Sequence, residues 1–96
     1  MARPAANPIR LIDDHLVRVT RWEFEAGAET GWHTHELDYL VTTLTTCHFL
    51  LEEPDGKIRH EDMEPGTVYR RDKGVEHNVV NAGDEPMAFV EVELKD

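Results

Sequence analysis

Two histidines one residue apart, His33 and His35, are the residues whose types and spacing most directly indicate chemistry in this sequence. They follow a glycine-containing turn, Ala26–Gly31, and in a β-strand residues i and i+2 point to the same face. Two imidazoles would then face one space. Imidazole is the commonest metal ligand among protein side chains and titrates nearest to neutral pH. Such a pair needs a third partner, which the rest of the chain must supply.

The elements that would position this pair are short β-strands. Leu16–Glu25 is rich in β-branched and aromatic residues, and Met87–Leu94 alternates apolar residues with acids. No window shows a sustained helical period, so we predict an all-β protein with little or no helix. About eight short strands with turns roughly every 8–12 residues are typical of a β-sandwich or barrel. A change of apolar parity predicts a bulge or a twist near Thr20–Arg21.

The size of the chain predicts a single domain over residues 1–96. Met1–Pro8 contains two prolines and three alanines, and we predict that it forms a loose N-terminal arm. Ile9–Ile12 would follow this arm as a short edge strand.

The excess of acidic over basic residues argues against some classes of binding partner. The formal net charge is −10, which argues against nucleic acid, whose backbone requires clustered lysine and arginine, and against an anionic membrane surface. Cys47 is the only cysteine, so no intrachain disulfide can form, and we interpret it as a small buried hydrophobe. The first residues lack the apolar run of a signal peptide, and no segment approaches the roughly 20 apolar residues of a membrane span. We therefore expect a cytoplasmic protein.

A second group of residues, Gly66–Asn81, completes the pattern with two glycines, then His77, then an asparagine four residues later. Together with Gly27-x5-His33-x-His35, this group resembles the cupin family. The two motifs of that family are G-x5-H-x-H followed by x3–4-E, and G-x5-P-x-G-x2-H-x3-N. The matching positions are Gly27, His33, His35, Gly66, Gly74, His77 and Asn81.

The resemblance implies a cupin-type jelly-roll β-barrel formed by two antiparallel sheets. In that family the paired histidines and the later histidine converge inside the barrel and bind a divalent metal. At the matching positions of this sequence, the resemblance implies that the metal ligands are His33, His35 and His77. The runs Trp32–Tyr39 and Gly74–Asn81 are similar to those of small single-domain bacterial members, including members associated with β-alanine degradation. One position of the second motif departs from the family, because Asp72 stands where a proline is usual.

The fourth ligand of the family, a glutamate four or five residues after the second histidine, is missing. Tyr39 and Leu40 occupy those positions, and by strand parity Asp38 points away from the face that carries His33 and His35. Three arrangements stay open, in order of preference. They are three histidines with water, three histidines with Asp38 turned inward by a bulge, and imidazoles satisfied by water without a physiological metal. Three imidazoles with open positions can hold Fe, Zn, Ni, Cu or Mn.

The candidate substrate-binding residues are Tyr39, Tyr69 and Arg71. Tyr69 and Arg71 share one face of a strand, and the resemblance places that face inside the barrel. Arginine presents a planar fork of donors to a carboxylate or a phosphate. We therefore expect a small-molecule ligand with a carboxylate, unless Arg71 pairs with an acid such as Glu91 or Glu93.

Three functions follow from these interpretations. One is a metal-dependent enzyme that acts on a small organic acid, with Tyr39 or Tyr69 among the groups that transfer protons. The second is a non-catalytic accessory protein that binds a small molecule without a physiological metal. The third is a purely structural subunit of an oligomer. A homodimer is expected, because small members of the family usually pair through edge strands and an open edge needs covering.

Overall fold

The structure, a computed structural model, describes residues 2–95 of the chain. Within these residues, the regular structure consists of nine β-strands and a short 3₁₀ turn at Pro54–Gly56. The strands are β1 (Asn7–Asp13), β2 (Val17–Phe24), β3 (His33–Thr34), β4 (Tyr39–Thr43), β5 (Cys47–Glu52), β6 (Ile58–Met63), β7 (Val68–Arg71), β8 (Glu76–Asn81) and β9 (Met87–Leu94). The prediction of an all-β fold with little or no helix is confirmed.

Two antiparallel sheets face each other and form a jelly-roll barrel. The five-stranded sheet has the order β1-β2-β9-β4-β7, and the four-stranded sheet has the order β3-β8-β5-β6. The hydrophobic core lies between them and includes Phe24, Phe49 and Phe89, which are 1%, 2% and 4% exposed. Between residues 2 and 95, the structure contains no helix that is long and apolar enough to cross a membrane.

The N-terminal segment is attached to the barrel, whereas the sequence predicted a loose arm over Met1–Pro8. Ala6 N donates a hydrogen bond to Glu29 O (2.8 Å), and Glu29 N donates one to Pro4 O (2.9 Å). Strand β1 begins at Asn7 and pairs with β2. These main-chain hydrogen bonds hold the segment from Pro4 onward, in spite of its proline content. Met1 lies outside the described residues.

The sequence predicted a bulge or a twist in β2, and the structure has a bulge in the neighbouring strand instead. β2 pairs with β9 in an unbroken register over its whole length. The register between β1 and β2 shifts between Arg10 and Ile12, which makes Leu11 the extra residue. The parity change within β2 arises because both of its faces carry apolar side chains. Trp22 lines the interior, and Val19 lies on the opposite face of the strand.

The second half of strand β9 turns its acids toward the interior and its valines outward. Glu91 and Glu93 line the cavity of the barrel, so the alternating Val90 and Val92 lie on the outer face. The register of β9 with its neighbours extends this apolar outer face across the five-stranded sheet. The strand positions on it include Ile9, Ile12, Val17, Val19, Leu40, Val68, Val90, Val92 and Leu94.

Candidate metal centre

The paired histidines and His77 meet inside the barrel because β3 pairs with β8, with His33 opposite His77. Nε2 of His35 lies 3.1 Å from Nε2 of His33 and 3.1 Å from Nε2 of His77. The three ring planes cross one another at 72° to 83°. His35 and His77 are buried, and His33 is partly buried. The three side chains therefore present their Nε2 atoms to one shared point.

The hydrogen bonds of His33 determine which ring nitrogen is free. Its Nδ1 atom lies 2.9 Å from Gly31 O. A carbonyl oxygen can only accept, so Nδ1 carries the proton and the Nε2 lone pair is available. The main chain around His35 is held as well, because its N–H donates to Val75 O and its carbonyl accepts from Gly74 N, both at 2.8 Å.

The separations of the three nitrogens fit a common metal ion. Nitrogens bound about 2.0–2.1 Å from an ion, at roughly 90–110° to one another, lie about 3.0–3.4 Å apart. The two 3.1 Å separations fall in this range. The ligand atoms of His33, His35 and His77 all lie within 4.8 Å of one another. The donor set therefore suits a first-row divalent ion.

Burial keeps two of the imidazoles in the neutral form that binds metals. Burial lowers the pKa of His35 to about 4, with smaller contributions from His33 and Arg71. The same cause, with the charges of His33, His35 and Arg71, lowers the pKa of His77 to about 3. At neutral pH both side chains offer a lone pair, because their protonated forms are disfavoured.

Tyr39 occupies the position where the motif predicts a glutamate. Its ring stacks on the His35 ring with centroids 3.8 Å apart and planes at 18°. It is 2% exposed, and burial raises its pKa to about 12. Tyr39 therefore supports the imidazole by contact and stays protonated at neutral pH, so it does not supply a negative charge.

Asp38 lies outside the group of imidazoles. Its Oδ1 accepts a hydrogen bond from Lys73 N (2.8 Å), and its Oδ2 lies 3.6 Å from Nη2 of Arg70. The bulge that would have turned it inward is absent from the described strands, because β4 begins in register at Tyr39. The carboxylate thus stabilises the turn before Gly74 and does not join the three imidazoles.

Tyr69 and Arg71 line the same cavity as the imidazoles. The cavity has a volume of about 660 Å³. Burial raises the pKa of Tyr69 above its ordinary value. Within residues 2–95, the Arg71 guanidinium has no carboxylate within 4.0 Å, so the alternative pairing with Glu91 or Glu93 is not observed.

Glu91 and Glu93, which the sequence analysis named only as possible partners of Arg71, also line this cavity. Oε2 of Glu91 lies 3.9 Å from Nε2 of His35, and its side chain is 12% exposed. Oε1 of Glu93 lies 3.7 Å from Nη1 of Arg18. Burial, followed by the charge of Glu93, raises the pKa of Glu91 to about 7. The alternation along β9 placed these acids on one face, but it could not show that this face is interior.

Comparisons with known proteins agree with this geometry. Residues 20–93 match the family model described as a cupin domain. The beta-alanine degradation protein BauB of Pseudomonas aeruginosa is 48% identical over 93 residues, which cover 97% of this chain and 97% of that protein. The crystal structure of a cupin domain from Bordetella pertussis has a TM-score of 0.95 and 47% identity, and covers 100% of this chain and 99% of that one.

A more distant similarity concerns the fold alone. A Klebsiella pneumoniae protein with a double-stranded β-helix domain is 20% identical, with a TM-score of 0.78, over 98% of this chain and 80% of that one.

The family model covers most of the length between β2 and β9. With the two motifs, the barrel and the meeting of His33, His35 and His77, these matches show that the chain belongs to the cupin family.

Proposed function

We propose that the protein binds a divalent metal ion through His33, His35 and His77 and holds a small organic acid beside it. The observation that carries the proposal is the convergence of three Nε2 atoms inside a cavity, with that of His35 3.1 Å from each of the other two. Fe, Zn, Ni, Cu and Mn ions all remain candidates for imidazole ligands. A bound ion would supply Lewis acidity toward an oxygen of the ligand.

The acidic ligand is proposed from the state of Arg71. This guanidinium lines the cavity and has no carboxylate within 4.0 Å among residues 2–95. A planar fork of donors without an internal partner suits a ligand carboxylate. The hydroxyls of Tyr39 and Tyr69 are protonated at neutral pH, so they can donate hydrogen bonds to the same ligand or move a proton. A volume of about 660 Å³ is sufficient for a small molecule.

We place this activity in β-alanine degradation, because the name of the Pseudomonas aeruginosa relative assigns that protein to the process. Two roles in the process are compatible with the site. The first is an enzyme that acts on a small acid. The second is an accessory protein that binds such an acid without turnover, and it is supported by the substitution of Tyr39 for the glutamate that the motif predicts.

The metal is tested by elemental analysis of untagged protein after anaerobic loading with Fe, Zn, Ni, Cu and Mn. Wild type is expected to retain about one ion per chain, and His33→Ala and His77→Ala are expected to retain little. His60→Ala is the matched control, because His60 is exposed on β6 and belongs to neither motif. Equal and negligible metal in wild type and in the His33→Ala and His77→Ala variants would refute the proposal.

The acidic ligand is tested by thermal shift with a panel of small carboxylates, followed by a turnover assay with each loaded metal. Arg71→Met is expected to abolish the carboxylate-dependent shift. Arg70→Met is the matched control, since Arg70 is exposed on the other face of the same strand. Binding without turnover would identify the accessory role, and a shift that survives in Arg71→Met would exclude Arg71 as the carboxylate site.

We also propose that a second copy of the chain covers the apolar outer face of the five-stranded sheet. In a chain of net charge −10, this face is formed mainly by aliphatic side chains such as Val19 and Val92. The acid that β2 places there, Glu23, is neutralised by Arg21 at 2.9 Å. Ile12 and Val68 are 48% and 63% exposed, and exposed aliphatic area of this kind marks an interface.

The dimer is tested by light scattering at micromolar concentration. Wild type is expected at twice the chain mass, and Val19→Glu or Val92→Glu at the chain mass. His60→Glu on the outer side of the other sheet should leave the dimer intact. A monomeric wild type would contradict the proposal.

We further propose a cytoplasmic location, because Cys47 is buried and unpaired.

A further inference from the structure

We infer that Glu91, on the last strand, supplies the carboxylate that faces the metal position, in place of the glutamate that Tyr39 replaces. The inference rests on the proposed metal centre and extends it by one residue. No sequence motif marks Glu91, because it lies 14 residues after His77 (91 − 77) and on the other sheet. The pairing of the strands brings it to the site.

The register of the five-stranded sheet explains how a carboxylate from β9 reaches the imidazoles. Tyr39 lies opposite Glu93, and Val41 lies opposite Glu91. All four side chains line the cavity. The neighbouring strand thus offers carboxylates beside the position that Tyr39 fills, and Glu91 is the acid that contacts an imidazole, with Oε2 3.9 Å from Nε2 of His35.

The same Nε2 atom of His35 lies 3.1 Å from each of the other two imidazole nitrogens. A separation of 3.9 Å exceeds the roughly 3.0–3.4 Å expected between neighbouring ligand atoms by about half an ångström or more. Glutamate has three rotatable bonds, so a change of rotamer or one bridging water would connect its carboxylate to an ion held by the imidazoles.

The charge balance of the cavity favours a cation next to Glu91. Its side chain is 12% exposed, and within residues 2–95 the basic side chain that lies within 4.0 Å of it is the neutral imidazole of His35, not an arginine or a lysine. A buried carboxylate without a cationic partner is costly. A divalent ion on three neutral imidazoles would place a net charge of +2 in the cavity. One carboxylate would reduce this net charge to +1.

The other carboxylates near the site have partners elsewhere. Glu93 belongs to the same group of potential ligand atoms as His35 and Glu91, but its Oε1 lies 3.7 Å from Nη1 of Arg18. Asp38 accepts a hydrogen bond from Lys73 N and lies near Arg70. Glu91 shares a side-chain hydrogen bond with Trp22, but among residues 2–95 it is the cavity carboxylate that no arginine or lysine neutralises.

The test measures Mn²⁺ and Zn²⁺ affinity by calorimetry for wild type, Glu91→Gln, Glu93→Gln and His77→Ala. Carboxylate oxygen is a harder ligand than imidazole and contributes relatively more to Mn²⁺ binding. Glu91→Gln is expected to weaken Mn²⁺ binding at least about tenfold and to weaken Zn²⁺ binding less. Glu93→Gln, the matched control for removal of a cavity charge, is expected to change either affinity less than about threefold.

A change in the ratio of the two affinities separates a ligand role from a general loss of folding, which would weaken both metals alike. Metal-free Glu91→Gln should melt at or above the wild-type temperature, because a buried charge is removed. A metal-loaded crystal structure then shows whether the carboxylate binds directly or through one water, and either outcome supports the inference. If Glu91→Gln keeps both affinities while His77→Ala loses them, the inference is wrong and the metal centre stands. If wild type binds neither ion, the metal centre itself is wrong.

Discussion

Replacement of Asn78 by alanine should weaken both the fold and the metal centre. Asn78 is 2% exposed. Its Nδ2 donates to Oε1 of Glu29 and to Oε1 of Glu52, both at 2.8 Å, and its Oδ1 accepts from Gly31 N at 2.9 Å. This one side chain therefore joins β8, β5 and the loop that precedes His33.

The size of the effect follows from these three hydrogen bonds. The two carboxylates are partly exposed and regain water when Asn78 is removed, so each bond is counted at about 1 kcal/mol, near the centre of the usual range. Asn78→Ala should lower the free energy of unfolding by about 3 kcal/mol. In a domain of this size such a loss corresponds to a fall in Tm of about 15 °C.

The metal centre should respond through a second route. Gly31 N is held by Asn78, and Gly31 O accepts the hydrogen bond from Nδ1 of His33 that frees its Nε2. Loss of such a supporting contact typically costs about 10- to 100-fold in metal affinity. We expect about a tenfold weaker Zn²⁺ affinity at a temperature where the variant is fully folded.

The assays are urea unfolding and Zn²⁺ titration of metal-free protein. Asn7→Ala is the matched control, because Asn7 is exposed on β1 and its replacement should change stability by less than about 0.5 kcal/mol. If Asn78→Ala loses less than about 1 kcal/mol, the three hydrogen bonds contribute less than their geometry implies. If the folded variant binds Zn²⁺ as wild type does, the loop does not orient His33 through Asn78.

Three other changes have expected results. Phe49→Ala removes a core side chain that is 2% exposed and should cost about 3–5 kcal/mol in urea unfolding, and a smaller loss would mean that the core collapses around the gap. Cys47 is fully buried, and burial raises the pKa of its thiol, so iodoacetamide at pH 8 should label native protein at least about 100-fold more slowly than protein in urea; comparable rates would contradict that burial. Asp14 accepts hydrogen bonds from Leu16 N and Val17 N, which hold the pKa of its carboxyl below the ordinary 3.8. This contribution is present above pH 3.8 and is lost as the pH falls through the lower native pKa, so the stability difference between wild type and Asp14→Ala, measured by urea unfolding, should shrink from pH 7 to pH 2, whereas a constant difference would exclude the carboxylate as its source.

The two motifs predicted which histidines would come together, because they combine local geometry with order along the chain. The spacing of His33 and His35 places both on one face of an extended strand, and parity correctly turned Asp38 away from that face. His77 could be added because the second motif carries it. The geometry that frees Nε2 of His33 depends on Gly31 O, and no pattern of residue types predicts such a contact.

The sequence could not predict that the acids of β9 face the interior, and the reason is physical. Alternation shows that Glu91 and Glu93 share one face and that Val90 and Val92 share the other, but it does not say which face is interior. The usual rule puts apolar side chains inside. Here the cavity takes the acids, and the valines lie on the outer face of the sheet. The attachment of the N-terminal segment to the barrel could not be predicted either, because composition does not reveal main-chain partners such as those of Ala6.

The short length of β3 would give the proposed metal centre a mechanical role. β3 has two residues and lies at the edge of its sheet, whereas β8 has six residues and is flanked by strands on both sides. An ion shared by His33 and His77 would close a loop of 44 residues (77 − 33). A covalent crosslink that closes a loop of this length stabilises the folded state by about 4 kcal/mol. The ion would thus act as a removable crosslink that fastens a weakly held edge to a firmly held strand. Chelation should accordingly loosen the edge first, so that the metal content of the protein is reported by amide exchange around β3 while β8 stays protected.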